Sequence, residues 1–176
     1  MKVYHIDASE LREYCSVLNS GDKVYLSGTV YTARDAAHKR IFELMEKNES
    51  LPFEIKNSVI YYAGPTPAPE NLPIGSCGPT TSCRMDSFAP RLYDMGMCAT
   101  IGKGERNEAV VESIKRNNGV YLCAIGGAGA LAALSIDECE IIAFEDLGCE
   151  SVKKLKFNKF PLIVVIDSKG GNIFNQ

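Results

Sequence analysis

Hydrophobic and polar positions alternate first over Val24-Tyr25-Leu26-Ser27-Gly28-Thr29-Val30, which predicts a strand entered through the turn Ser20-Gly21-Asp22. Ala37, Ile41, Leu44 and Met45 then recur at helical spacing with charges between them, so residues 33 to about 47 should form an amphipathic helix. Residues 58–63 read as a short strand running into Gly64-Pro65-Thr66-Pro67-Ala68-Pro69, a stretch too rich in proline for either regular element. A loop continues to about Cys77. Residues 86–95 carry a helical pattern that Pro90 confines to short pieces. Residues 107–117 make a better helix, with Val110, Val111 and Ile114 on its apolar side and Gly119 placed to end it.

Beyond that point, residues 120–125, 140–144 and 162–167 are apolar runs of buried-strand length. The small-residue segment 126–134 between the first two has the composition of a tightly packed helix. Strands alternating with helices predict an α/β domain with a parallel or mixed sheet and flanking helices. Residues 169–176 read as a polar tail on a single domain that spans residues 1–176.

Composition narrows the classes. A chain of 176 residues with 45% hydrophobic residues can bury a real core, and 23% charged residues exclude global disorder. Nineteen Lys and Arg against 22 Asp and Glu give a net charge of −3, which argues against a general nucleic-acid binder. No apolar run is long enough to span a bilayer, and the start MKVYHIDASE is too polar for a signal peptide, so the expectation is a cytoplasmic protein. The seven cysteines are odd in number and include no C-x-x-C pair, which disfavours a disulfide framework, and two histidines are too few for the common zinc spacings. Cys123 and Cys139 lie in apolar stretches and read as small core residues. Cys77 and Cys83 flank the richest motif in the chain.

Three segments mix glycine, hydroxyl and basic residues. In Gly28 to His38 a strand passes into a helix whose first turn favours anions, and Arg34 stands at that junction. It can hold a carboxylate or phosphate in two-point contact, or pair with Asp35 or Glu43 on the surface. His38, one turn on, reads as a packed or hydrogen-bonded helix residue. In Gly75 to Asp86, four hydroxyl residues lie within seven positions, and a helical backbone would put Thr80 and Arg84 on one side. These hydroxyls either cap a helix or include a catalytic threonine, which would need a nearby cation to become basic. The third, Ile101-Gly102-Lys103-Gly104, holds one cation at a strand end, as a binding residue or a solvated turn lysine. It lacks the other Walker A positions. Gly127-Ala128-Gly129-Ala130-Leu131-Ala132 outlines a dinucleotide fingerprint, but it comes late in the chain, and small residues serve helix–sheet packing equally well.

Together, TVYTARDAAHKR, YYAGPTP, GPTTSCRMD, IGKGER and GVYLCAIGGAGALAA agree in identity, order and approximate spacing with one family. From about residue 21 to 167 the chain resembles the C-terminal domain, or β subunit, of class I fumarate hydratases, and L(+)-tartrate dehydratase β subunits share the pattern. The resemblance implies a swivelling β/β/α domain. It implies a hydro-lyase that interconverts fumarate and (S)-malate or a close analogue, active only with an α subunit that carries a 4Fe-4S cluster. The hetero-oligomer would be αβ or α2β2. No cofactor or metal would be bound by this chain, and its cysteines would not be cluster ligands. By motif match Arg34 and Arg84 would clamp the substrate's carboxylates. Thr80 would be the base, and Lys103 would bind substrate and favour the deprotonated threonine. Asp35, His38 and Asp86 would support them from behind. Two other readings stand beside this one: a small anion- or nucleotide-binding module without chemistry, and a structural lid over a partner's cluster.

Overall fold

The two longest alternating stretches of the chain pair with each other. β2 (Lys23–Thr32) runs antiparallel to β7 (Val152–Ile166) from Lys23 opposite Ile163 to Tyr31 opposite Lys154. The structure, a computed structural model, describes residues 1–124 and 129–175. On its other edge the end of β2 pairs in parallel with β3 (Val59–Tyr61), β3 with β4 (Ala99–Gly102), and β4 with β5 (Val120–Ala124). β5 returns antiparallel to β7. The five strands therefore close into a ring, with β1 (Val3–Asp7) added beside β2 and β6 (Ile136–Ala143) beside β7. The mixed sheet and its helices form the α/β fold that the alternation predicts.

Short parallel strands buried on both faces explain why β3, β4 and β5 read as continuous apolar runs. Val59, Tyr61, Ile101 and Leu122 enter a core that gathers side chains from all five ring strands. Their neighbours Ile60, Tyr62 and Tyr121 enter a second core against the helices. There they meet Ile41 of α2 (Asp35–Glu46), Leu92 of α3 (Ala89–Asp94) and Ile114 of α4 (Glu108–Arg116). In α4 the Asn107 side chain caps the helix by accepting from the Val110 N–H at 3.0 Å. Pro90 sits in the first turn of α3, where its missing N–H has no partner to lose. A short helix, α1 (Leu11–Tyr14), follows β1.

Several local expectations change. β7 extends far upstream of residue 162: Val152, Leu155, Phe157 and Phe160 are buried, while Lys154, Lys156 and Lys159 between them face outward. β6 begins at Ile136, and α5 (Gly129–Ala133) is shorter than the helix expected over 126–134, whose first residues, with Ile125, Gly127 and Ala128, lie outside the described residues. Cys123 and Cys139 are half-buried rather than core. Cys123 lies near the end of β5, and Cys139 lies on β6, which has a neighbour on one side only. The chain past β7 turns back, with Asp167 and Gly171 bonded to each other and Asn172 paired with Ile166. Among the described residues no helix is long and apolar enough to cross a membrane.

Candidate active site on the strand-end rim

Parallel pairing brings the carboxyl ends of β2, β3, β4 and β5 to one rim, where α/β sheets commonly bind ligands. The motif-bearing segments all leave from there: Arg34 just past β2, Gly64 past β3, Lys103 past β4.

Arg34 is the N-cap residue of α2 with extended backbone. Its side chain crosses Gly64 so closely that a Cβ there would stand 2.9 Å from Nη1 and 3.1 Å from Cδ, so a side chain at this position would push the guanidinium aside. Its Nε lies 3.8 Å from Glu150 Oε1, a long ion pair, and this buried nitrogen makes no hydrogen bond among the described residues. Glu150 also accepts from the Ala36 N–H at 3.4 Å, in the first turn of α2. Asp35, one of the surface partners open to Arg34, instead makes a two-point ion pair with Arg84: Nε to Oδ1 at 3.1 Å and Nη2 to Oδ2 at 2.9 Å. Half of the Arg84 side chain remains exposed.

His38 is fully buried, with Nδ1 2.8 Å from the Arg34 carbonyl. A carbonyl only accepts, so Nδ1 carries the proton and Nε2 faces the interior with no described partner. Its ring stacks on Phe88 and meets the edge of Tyr62. Burial pushes its pKa down from 6.5 to about 4; the bond to the Arg34 carbonyl opposes this, and the Arg106 charge adds to it. His38 is therefore a neutral packed residue at physiological pH.

The Gly78-Pro79-Thr80-Thr81 stretch is extended, not helical. Its 3-10 turn begins only at Ser82 and runs to Met85, so Thr80 and Arg84 do not share a helix face. Pro79 pairs with Ala63, and the Thr80 N–H donates to the Tyr62 carbonyl at 2.7 Å. Thr81 pairs in parallel with Lys103. The stretch thus adds to the ends of β3 and β4 and sets half-buried Thr80 beside the residues that carry Lys103. Among the described residues nothing hydrogen bonds the Thr80 hydroxyl, and Lys103 is exposed and makes no ion pair.

Asp86 points elsewhere. Its carboxylate accepts from Arg106 Nε at 2.6 Å and from the Asn107 N–H at 2.7 Å. Arg106, with a side chain that is 0% exposed, also reaches Thr100 and Tyr62 and lies over the rings of Tyr62 and Tyr121. Sequence reasoning passed over Arg106, although it stands two residues past the glycine–lysine loop in IGKGER. Nothing in its local pattern separates a buried arginine from a solvated one.

The cations Arg34, Arg84 and Lys103 thus border a rim that holds the Thr80 hydroxyl, unpartnered among the described residues, an arrangement fit to bind a dianion and to move a proton at Thr80. A cleft of about 460 Å³ lies elsewhere, lined by Pro65, Pro67, Ile74, Ile141 and Cys149, and includes none of these four. Among the described residues no three His, Cys, Asp or Glu side chains gather into a group able to hold a metal. Beside the motif, Cys83 is exposed, while Cys77 is buried and its thiol is pushed up to about 12 by that burial.

A sequence profile described as "Fumarase C-terminus" matches the chain over residues 1–176. The chain belongs to the fumarase C-terminus family. Fumarate hydratase 2 of Leishmania major is 40% identical over 169 residues, covering 95% of this chain and 30% of that protein. The aerobic class I fumarate hydratase of Salmonella typhimurium is 38% identical over 170 residues, 96% of this chain and 29% of its own length. A putative L(+)-tartrate dehydratase subunit beta of Methanocaldococcus jannaschii is 40% identical over 165 residues, 90% of this chain and 85% of that subunit. The chain therefore spans about 30% of the length of the fumarate hydratases it matches and most of the length of the separate subunit.

Proposed function

We propose that this chain is the β-type subunit of a cytoplasmic hydro-lyase that hydrates fumarate reversibly to (S)-malate, assembled with a separate α subunit that holds a 4Fe-4S cluster. The observation that carries the reading is the pairing of Thr81 and Ser82 with Lys103, which sets the segment that carries Thr80 against the one that carries an exposed lysine, on a rim with two arginines. In this reading the cluster and its chemistry belong to the α subunit. An open rim that supplies cations and a base but no enclosed cavity suits half of a shared site.

In this reading Arg34 and Arg84 hold the substrate's two carboxylates. Arg84 keeps Asp35 as its orienting partner, and the half-exposed guanidinium retains donors for a second carboxylate. Thr80 takes the proton from the carbon next to the one that loses hydroxide. An ordinary threonine hydroxyl is far too weak a base, so Lys103 must lower its pKa by charge while it binds substrate. His38 fixes the Arg34 carbonyl, and Asp86 acts at a distance through Arg106. A second reading, dehydration of L(+)-tartrate, is favoured by the coverage of the tartrate dehydratase subunit beta.

The test is to purify this chain and a cluster-bearing partner separately and assay each, and their mixture, with fumarate, (S)-malate and L(+)-tartrate. Turnover in the mixture alone supports the proposal, and the preferred substrate decides between the two readings. Hydratase activity in the isolated, anaerobically reconstituted chain would overturn it, as would nucleotide binding without dicarboxylate turnover in the mixture.

A further inference from the structure

We infer that Tyr121, with Ser82, is the positioning pair that sets Lys103 for catalysis; the inference rests on the roles proposed above for Thr80 and Lys103. Lys103 has a long flexible side chain on an exposed loop between two glycines, so its reach is defined only if its backbone is held. Two contacts hold it from one residue: the Lys103 N–H donates to Ser82 Oγ at 3.0 Å, and the Ser82 N–H donates to the Lys103 carbonyl at 2.9 Å. Ser82 is buried and seated over Gly102 so closely that any Cβ there would collide with its hydroxyl.

Tyr121 closes the arrangement. It is fully buried on β5, and its hydroxyl stands 2.9 Å from Ser82 Oγ and 2.8 Å from the Gly104 carbonyl. A phenol has one proton. With both bonds made, the carbonyl must receive it, and the Ser82 hydroxyl then donates to the phenol while accepting from Lys103. One hydroxyl thus fixes Ser82 from behind and Gly104, where the backbone turns at φ +80°, from below. The ring of Tyr121 lies 4.9 Å from the Arg106 guanidinium, which keeps the phenol in place.

The Tyr121→Phe substitution removes one oxygen and keeps the ring and its packing. In the assembled enzyme it should lower kcat by roughly 10- to 100-fold, as loss of an orienting outer partner does, with KM changed by less than about threefold. The pH–rate profile gives the readout that a merely structural role would not move. If Lys103 is displaced, Thr80 loses part of the charge that makes it basic, and the lower limb of kcat against pH should shift to higher pH. Ser82→Ala should produce the same shift, and amide exchange at Lys103 should accelerate in both variants. Lys103→Met is the control. If Lys103→Met is inactive while Tyr121→Phe and Ser82→Ala show wild-type kcat and pH profile, the positioning inference is wrong and the site assignment stands. If Lys103→Met is itself near wild type, the site assignment fails first. A Tyr121→Phe chain too unstable to assemble would move the decision to Ser82→Ala, with the same two outcomes.

Discussion

Arg84 lies in the short 3-10 turn and Arg106 binds Asp86 at its end, and they live opposite lives. Arg106 has no exposed side-chain surface, and its nitrogens are engaged by Asp86, Thr100 and Tyr62. Arg84 is half exposed and has one carboxylate partner, Asp35. Among the described residues Arg34 and Lys103 resemble Arg84: the first has a single long ion pair and a nitrogen without a hydrogen bond, the second no ion pair. A cation buried inside the fold, with every nitrogen engaged by protein, is out of a ligand's reach. The rim cations keep donors in hand, and that separates a binding face from a structural network a few residues away.

The sharpest way to break this comparison is at the hydroxyl between the two regions. Thr80→Ala should lower kcat of the assembled enzyme by about 10² to 10⁴-fold with little change in KM, because a proton acceptor is lost rather than a binding contact. The stability of the isolated chain should barely move, since the Thr80 hydroxyl has no described partner. Activity within a few-fold of wild type would place the base elsewhere.

The buried side should answer in stability. Asp86→Asn leaves the Arg106 charge uncompensated in the core, and chemical denaturation should show a loss of about 3–5 kcal/mol. A loss below about 1 kcal/mol would mean that the network is not what holds this corner of the fold.

His38 tests the same interior by pH. Its folded-state pKa of about 4 lies below the ordinary 6.5, so the unfolded chain takes up the proton first. The stability associated with neutral His38 is complete above about pH 6.5 and is lost progressively as pH falls towards 4, by about 3 kcal/mol over that span. Unfolding free energies from pH 7 to 4 should fall less steeply in His38→Gln than in wild type. Equal slopes would show that His38 is not buried as a neutral ring.

Arg84→Ala should change stability by less than about 1 kcal/mol, because an exposed ion pair contributes little. Its effect belongs in KM for the dicarboxylate, with a rise of roughly 10- to 100-fold for a lost charge-assisted contact. A stability loss as large as that of Asp86→Asn would erase the distinction between the two arginines.

Much of this was legible in the residues, unevenly. The alternation of β2 and the 3.6-residue period of α2 and α4 came through because each buries one face against one core. β7 was legible only at its apolar end: its first half places Leu155 and Phe157 inward between lysines, a pattern that reads as a charged loop until β2 and β6 cover its edges. On the rim, glycines and cations marked Arg34 and Lys103, but not that Arg84 would take Asp35. Asp86 stood in the right motif and faces Arg106 instead. That difference depends on which side of a 3-10 turn a carboxylate leaves from, which spacing does not encode. Tyr121 carried no signal at all, since on β5 it reads as one more apolar strand residue.

The central claim is that Lys103, whose side chain makes no ion pair among the described residues, makes Thr80 basic. The most direct test is kcat of the assembled Lys103→Met enzyme at saturating dicarboxylate. The account predicts a collapse of at least about 100-fold that added substrate does not restore, because the charge that lowers the threonine's pKa is gone. Recovery of near wild-type kcat at high substrate would show that Lys103 only binds, and would contradict the claim.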